Sequence, residues 1–292
     1  MAVEKIIVMA LTYPELSKKH GPIVCVAGVN EYGEWRRLYP LPFKIWSEDD
    51  YKNIKFHKWD VIEVDVEKAR HDPRKESMRV KDWRQIKVVG HIEDWSLRLS
   101  IVQELLDPDI ETIVKSGRSL GVIKPREILD FYAKPRQRLK EDAEKLVLEK
   151  MEEADSTVTL LEYLGIKDEH LLPEVKEPDT KIEKLPWIGY RFYCRNPQCR
   201  GHEMMVIDWE AQELFRKYKV VEGPVKEKLF NYMVEERDLY FIVGNTWKYH
   251  KSFMIIGLFY PPKGTKTQKT LIPLFKKRAK PKTLDNFILK RE

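Results

Sequence analysis

The chain has 292 residues, of which 42% are hydrophobic and 34% charged, with a formal net charge of +6. That length suffices for two ordinary domains with cores of their own, and that apolar fraction excludes a disordered polymer. The small net charge excludes a wholesale polycation, the absence of any run of eighteen apolar residues excludes a membrane-spanning helix, and three cysteines exclude a secreted disulfide framework. Charge carried mostly by Lys, Arg and Glu, with little Cys, points to a thermophile source. The opening MAVEKIIVMALTYP lacks the basic region and long apolar run of a signal peptide, so a cytoplasmic protein is expected.

In chain order, residues 4–100 read mainly as strands. KIIVMAL, PIVCVAGV, EWRRLYP and WDVIEVDVEKA are β-branched or aromatic runs broken by Gly, Pro and Asn, and NEYGEW (30–35) reads as a hairpin turn. Short strands at this spacing predict a small barrel. From about residue 100 the pattern turns helical: Ser100 to Val114 and Gln137 to Glu153 have helical spacing. KEPDTKIEKLP (176–186) reads as a linker. Strands follow at 190–194 and near 204–209. WEAQELFRKY then places Ala211, Leu214, Phe215 and Tyr218 on one helical face, and LYFIVGN and SFMIIGLFY close the folded part as strands. The expected fold class is α+β, with two small OB-like barrels joined by a helical segment and followed by a disordered basic tail. The boundaries are 1–100 for the first barrel, 101–180 for the helical connector and linker, 181–262 for the second β-rich domain and 263–292 for the tail.

Three segments carry candidate chemistry. GEWRRLYPLPFKIW interleaves aromatic and basic residues as single-strand-binding barrels do, and strand alternation puts Trp35, Arg37 and Tyr39 on one face. Together with Lys44 and with Lys18 and Lys19 of a neighbouring loop, these are the nucleic-acid candidates; ordinary barrel packing with snorkelling cations is the alternative. YCRNPQCRGHEMMVIDWE spaces Cys194, Cys199 and His202 as C-x4-C-x2-H, a donor set suited to Zn²⁺. His250 is the first candidate for a fourth ligand, ahead of Cys25 and Asp208. A Cys194–Cys199 disulfide and two buried free thiols remain alternatives. In VIDWE, Asp208 and Glu210 would share one face of an extended strand, the one paired-carboxylate signal for metal-dependent hydrolysis.

The basic tail repeats itself. Lys269-Thr270-Leu271 matches Lys282-Thr283-Leu284 at an offset of thirteen residues, and Leu274-Phe275 matches Phe287-Ile288. Gln268, Leu271, Leu274 and Phe275 have the spacing Gln-x-x-aliphatic-x-x-apolar-aromatic, which a 3₁₀ turn would gather into one hydrophobic plug. This resembles the PIP box, the peptide by which replication and repair proteins bind the sliding clamp PCNA. Leu274 stands where that motif favours an aromatic residue. Leu284, Phe287 and Ile288 form a degenerate second copy, with Pro281 at the glutamine position.

The order TYP…SKKHGPIVCVAG…GEWRRLYPLPF, with CRNPQCRGHEMMVIDWE and GNTWKYHKSFMIIGLFYPP after it, resembles a prokaryotic and archaeal family described as carrying two OB-like barrels. The resemblance covers about residues 4–262 and implies nucleic-acid binding by fold analogy. The expected function is that of a protein of DNA replication or repair that binds single-stranded DNA or RNA and is tethered to PCNA by its tail. The alternatives are a clamp-recruited, metal-dependent nuclease and a clamp regulator that does not touch DNA.

Overall fold

The computed structural model describes residues 2–17, 21–134, 185–246 and 249–268. The early β-branched runs form strands β1 (Ala2–Leu11), β2 (Glu15–Ser17), β3 (Gly21–Asn30), β4 (Trp35–Pro42), β5 (Asp60–Lys68), β6 (Ser77–Val80) and β7 (Lys87–His91). Their pleat sorts the side chains: along β5, Ile62, Val64 and Val66 are buried, while the alternating Glu63, Asp65 and Glu67 are not. The 30–35 turn closes as expected. Asn30 Oδ1 accepts the N–H groups of Tyr32 and Glu34, each at 3.0 Å, and Gly33 takes the positive φ of 74°.

β1 pairs with β3, β3 with β4, β4 with β6 in parallel, β6 with β5, and β5 with β1. Five strands thus close on themselves, with β2 added beside β3 and β7 beside β5. Inside lie Ile6, Val8, Val24, Val26, Leu38, Leu41, Ile62 and Val64. A short helix α1 (Lys44–Ser47) follows β4.

The remaining chain builds a second sheet. Helix α2 (Trp95–Glu104), strand β8 (Leu106–Asp107), helix α3 (Ile110–Lys115) and strands β9 (Leu120–Ile123) and β10 (Glu127–Lys134) come first. Strands β11 (Trp187–Tyr193) and β12 (His202–Val206), helix α4 (Trp209–Tyr218) and strands β13 (Tyr240–Asn245) and β14 (Phe253–Phe259) complete it. The strand order is β10-β11-β12-β14-β13-β9-β8, with β12 and β14 parallel. A π-helix at Glu227–Glu236 lies between α4 and β13.

This corrects the reading of 101–180 as a helical connector. Two short helices occupy its start, but residues 120–123 and 127–134 are strands. The cause is non-local. β9 is a strand because it pairs with β13, far along the chain, and α3 packs hard against it: a Cβ on Gly121 would lie 2.4 Å from Ile113 Cδ1. Local periodicity cannot register such a partner. The expectations for Gln137–Glu153 and most of the linker lie outside the described residues, as does the tail from 269 onward.

The two sheets share a core. Met9, Ala10, Val29, Trp35 and Trp59 of the barrel pack with Leu99, Val122, Ile242, Ile256 and Phe259. Contact is tight enough that a Cβ on Gly257 would lie 2.8 Å from Ala10 Cβ.

Candidate metal centre

The knuckle is the turn between β11 and β12. Asn196 shapes it: its Oδ1 accepts the Gln198 N–H at 2.9 Å, and its carbonyl accepts the Cys199 N–H at 3.0 Å. Its Nδ2 donates to Asp109 Oδ2 at 3.2 Å, fastening the turn to the start of α3. Gly201 turns the chain back with φ 97°, packed on the Tyr193 ring, so that His202 opens β12.

The donor atoms of Cys194, Cys199 and His202 lie within 4.8 Å of one another. Two details suit a cation there, and a third is what a cation would have to overcome. Cys199 Sγ accepts two backbone N–H groups, from Cys194 and Gly201, each at 3.4 Å, which fixes the sulfur as an acceptor in the turn. His202 Nε2 is buried and has no hydrogen-bond partner among the described residues. The Cys194 thiol is pushed up to about 11, first by burial and then by its contact with Cys199. A divalent cation would reverse that, because a coordinated thiol loses its proton. Both cysteines are free thiols, so the disulfide alternative is not what the structure contains. The residues present therefore fit a metal ion with two sulfur ligands and one nitrogen ligand.

The fourth ligand is not found where it was expected. His250 is exposed in the turn before β14 and does not join the group; its carbonyl accepts from Asn245 Nδ2 at 2.7 Å. Cys25 lies on β3, with its sulfur 3.8 Å from Arg37 Nη1. Asp208 is committed elsewhere.

Asp208 and Glu210 do not share a strand face. Asp208 is the N-cap of α4, buried to 1% exposure, and it accepts N–H groups from Ala211 at 3.1 Å and Leu258 at 3.1 Å. Lys58, from the loop before β5, lies 2.9 Å from Asp208 and 2.8 Å from Glu210. Burial alone would lower Lys58, but the two carboxylates outweigh it and hold the ammonium above the ordinary lysine value. The pair is a tie between the two sheets, and the sequence reading missed Lys58 because nothing near it in the chain marks its partner. A helix cap was the overlooked signal: Asp208 directly precedes the apolar period of α4.

The nucleic-acid candidates separate. Trp35 is buried in the shared core. Arg37 is 4% exposed and donates from Nη2 to the Ser119 carbonyl at 3.0 Å and to Ser119 Oγ at 3.2 Å, so it faces the second sheet instead of solvent. Tyr39 remains 39% exposed. Lys44 Nζ lies 5.1 Å from the Trp83 ring centre and 5.5 Å from that of Tyr51. Lys18 and Lys19 lie outside the described residues. Of the clamp-binding candidates, Gln268 is described: it is exposed, its N–H donates to Ser100 Oγ at 2.9 Å and its side-chain amide to Asp94 Oδ1 at 3.0 Å. Leu271, Leu274, Phe275, Leu284, Phe287 and Ile288 lie outside the described residues.

Residues 2–104 match a family model described as Domain of unknown function (DUF8758), and residues 109–278 match a second, Domain of unknown function (DUF8757). The two matches meet where α2 gives way to β8 and α3. No curated protein and no solved structure matches the chain. Because the second match spans more than half of its 292 residues, the chain belongs to the family described as Domain of unknown function (DUF8757).

Proposed function

We propose that this protein binds single-stranded nucleic acid with two small barrels, carries a structural zinc knuckle, and is tethered to the sliding clamp PCNA by its tail. One observation carries the nucleic-acid reading: a single strand path occurs twice. With the short β2 set aside, the first barrel runs β1, β3, β4, β6, β5 and back to β1, its third and fifth strands in order of sequence (β4 and β6) being parallel. In the second sheet, only Lys124, Pro125 and Arg126 separate β9 from β10. Three residues reach about 10 Å at most, so the two strands act as one bent first strand. The path then reads β10, β11, β12, β14, β13, β9, again with third and fifth strands (β12 and β14) parallel. Helix α4 lies between third and fourth strands, as α1 does in the first barrel. Five-stranded barrels of this OB kind bind oligonucleotides on the faces of strands two and three and on the loops between strands one and two and between four and five.

The tether rests on the repeated tail, with Gln268 as the polar anchor at its start. Zn²⁺ held by Cys194, Cys199 and His202 would cross-link the β11–β12 turn and so contribute to folding. The carboxylate arm of the nuclease reading loses its basis, because Asp208 is enclosed by its cap and its ion pair. The test is a pulldown of the purified full-length chain with PCNA, together with anisotropy titration of a labelled single strand at low salt. Capture and salt-sensitive binding support the reading; failure of both removes it.

A further inference from the structure

The loops between the fourth and fifth strands of the two barrels meet. In the first barrel this loop is 69–76, between β5 and β6; in the second it lies between β13 and β14 and includes Tyr249, His250 and Lys251. Arg74 Nη1 donates to the Asn245 carbonyl at 2.6 Å, and Asn245 Nδ2 donates to the His250 carbonyl at 2.7 Å, so a chain of hydrogen bonds joins loop to loop. Lys68 Nζ braces the first loop through the carbonyls of Arg74 at 2.6 Å and Lys75 at 2.9 Å.

Two acidic groups of this corner are consumed internally. Asp72 pairs with Arg74 at 2.6 Å, and Glu76 accepts both the N–H and the Oγ–H of Ser119, each at 2.9 Å. What faces outward is basic: Arg70, His71, Lys75, His250 and Lys251 are all exposed. Two aromatic rings accompany them, Tyr249 at 60% exposure and Tyr39 at 39%. Tyr39 lies within electrostatic reach of Cys25, Glu15, Arg74 and Asp72, which locates it between the β2–β3 hairpin and the first loop. Glu15 is the one exposed carboxylate among those neighbours. Among the described residues, Arg37 Nε and Asn245 Oδ1 beneath them are buried without a partner, and no carboxylate forms an ion pair with Arg37.

We infer that this corner is a composite site for single-stranded nucleic acid, in which Arg70, Lys75 and Lys251 contact phosphates while Tyr39 and Tyr249 stack bases. It rests on the nucleic-acid reading above and moves the contact from the 33–46 segment, whose Trp35 and Arg37 are buried, to a seam that neither barrel could form alone. Cations beside exposed aromatic faces are the chemistry by which barrels track a single strand. An acidic polypeptide would satisfy the cations and leave the rings unused.

The test is anisotropy of a labelled oligo(dT) of about 20 nucleotides, long enough to cross two barrels. The full-length wild type is compared with Lys75→Ala/Lys251→Ala, with Tyr249→Ala, with a control pair Lys52→Glu/Lys55→Glu, and with a tail variant Lys276→Glu/Lys277→Glu. All these substitutions fall on exposed or tail positions, and an unchanged urea midpoint verifies folding. The double alanine variant should weaken binding roughly tenfold and lower the log–log salt slope by about 0.7 per lost contact. Tyr249→Ala should lose at least about fivefold without changing the slope. Wild-type binding that survives both seam variants but falls in the tail variant would overturn the composite site and leave nucleic-acid binding standing. No wild-type binding at low salt would overturn both. Equal competition by poly-glutamate at matched charge would assign the corner to an acidic protein partner and overturn the inference.

Discussion

Replacing Lys58 by Met tests what holds the two halves together. The Lys58 side chain is 8% exposed and bridges Asp208 at 2.9 Å and Glu210 at 2.8 Å. Beside it Trp59 adopts φ 71°, a region that L side chains rarely enter, while its ring packs 5.1 Å from Phe259 of the second sheet. Met has a similar length and keeps the packing, but among the described residues it leaves the Asp208 carboxylate, 1% exposed, with only the N–H groups of Ala211 and Leu258. An uncompensated buried charge costs about 3–5 kcal/mol, which for a chain of this size corresponds to a fall in Tm of roughly 6–20 °C. Because Lys58 is raised in the folded state, its contribution is fully present below the unfolded lysine value of about 10.4 and is lost only as pH rises beyond that, through the folded value. Urea unfolding followed by tryptophan fluorescence measures the effect. Asp208→Asn removes the charge, and in the double variant it should restore most of the loss, because the two residues act as one unit. Glu210→Gln should cost under about 1 kcal/mol, since that carboxylate is 64% exposed. A Lys58→Met cost below about 1 kcal/mol, or strict additivity with Asp208→Asn, would refute the reasoning.

Purified protein should carry about one zinc per chain by elemental analysis, and Cys199→Ser should abolish it and destabilise the second half. In calorimetric titrations of PCNA with a peptide of residues 264–292, Phe275→Ala should cost on the order of 2 kcal/mol and Phe287→Ala less; equal losses would remove the ranking of the two copies. Burial alone would raise the Asp72 carboxyl, but hydrogen bonds from the Arg74 guanidinium and backbone N–H outweigh it and hold it at about 2. Its stabilisation is therefore present above the ordinary carboxylate value and lost as pH falls from about 4 to about 2, so Asp72→Asn should flatten that part of an acid-unfolding curve.

The strands of the first barrel, the hairpin at 30–35 and helix 209–218 were legible in the sequence because each is written in neighbouring residues: period two, a turn glycine, an apolar helical face. The metal candidate was legible for the same reason, three of its donors lying within nine residues (Cys194 to His202). What depended on distant partners was not. β9 is a strand through β13, Lys58 finds Asp208 across 150 positions, and His250, expected as a ligand, instead lends its carbonyl to Asn245.

The arginine face shows the division most clearly. Alternation along β4 predicted that Trp35, Arg37 and Tyr39 point the same way, and Trp35 and Arg37 do, both toward the second sheet. Whether that way leads to solvent was decided by the second sheet, which covers Trp35, takes the Arg37 guanidinium at Ser119, and leaves only Tyr39 at the edge. A pleat sets direction through the backbone of a few adjacent residues. Exposure is set by whatever else the chain brings to that face, and no local pattern contains it.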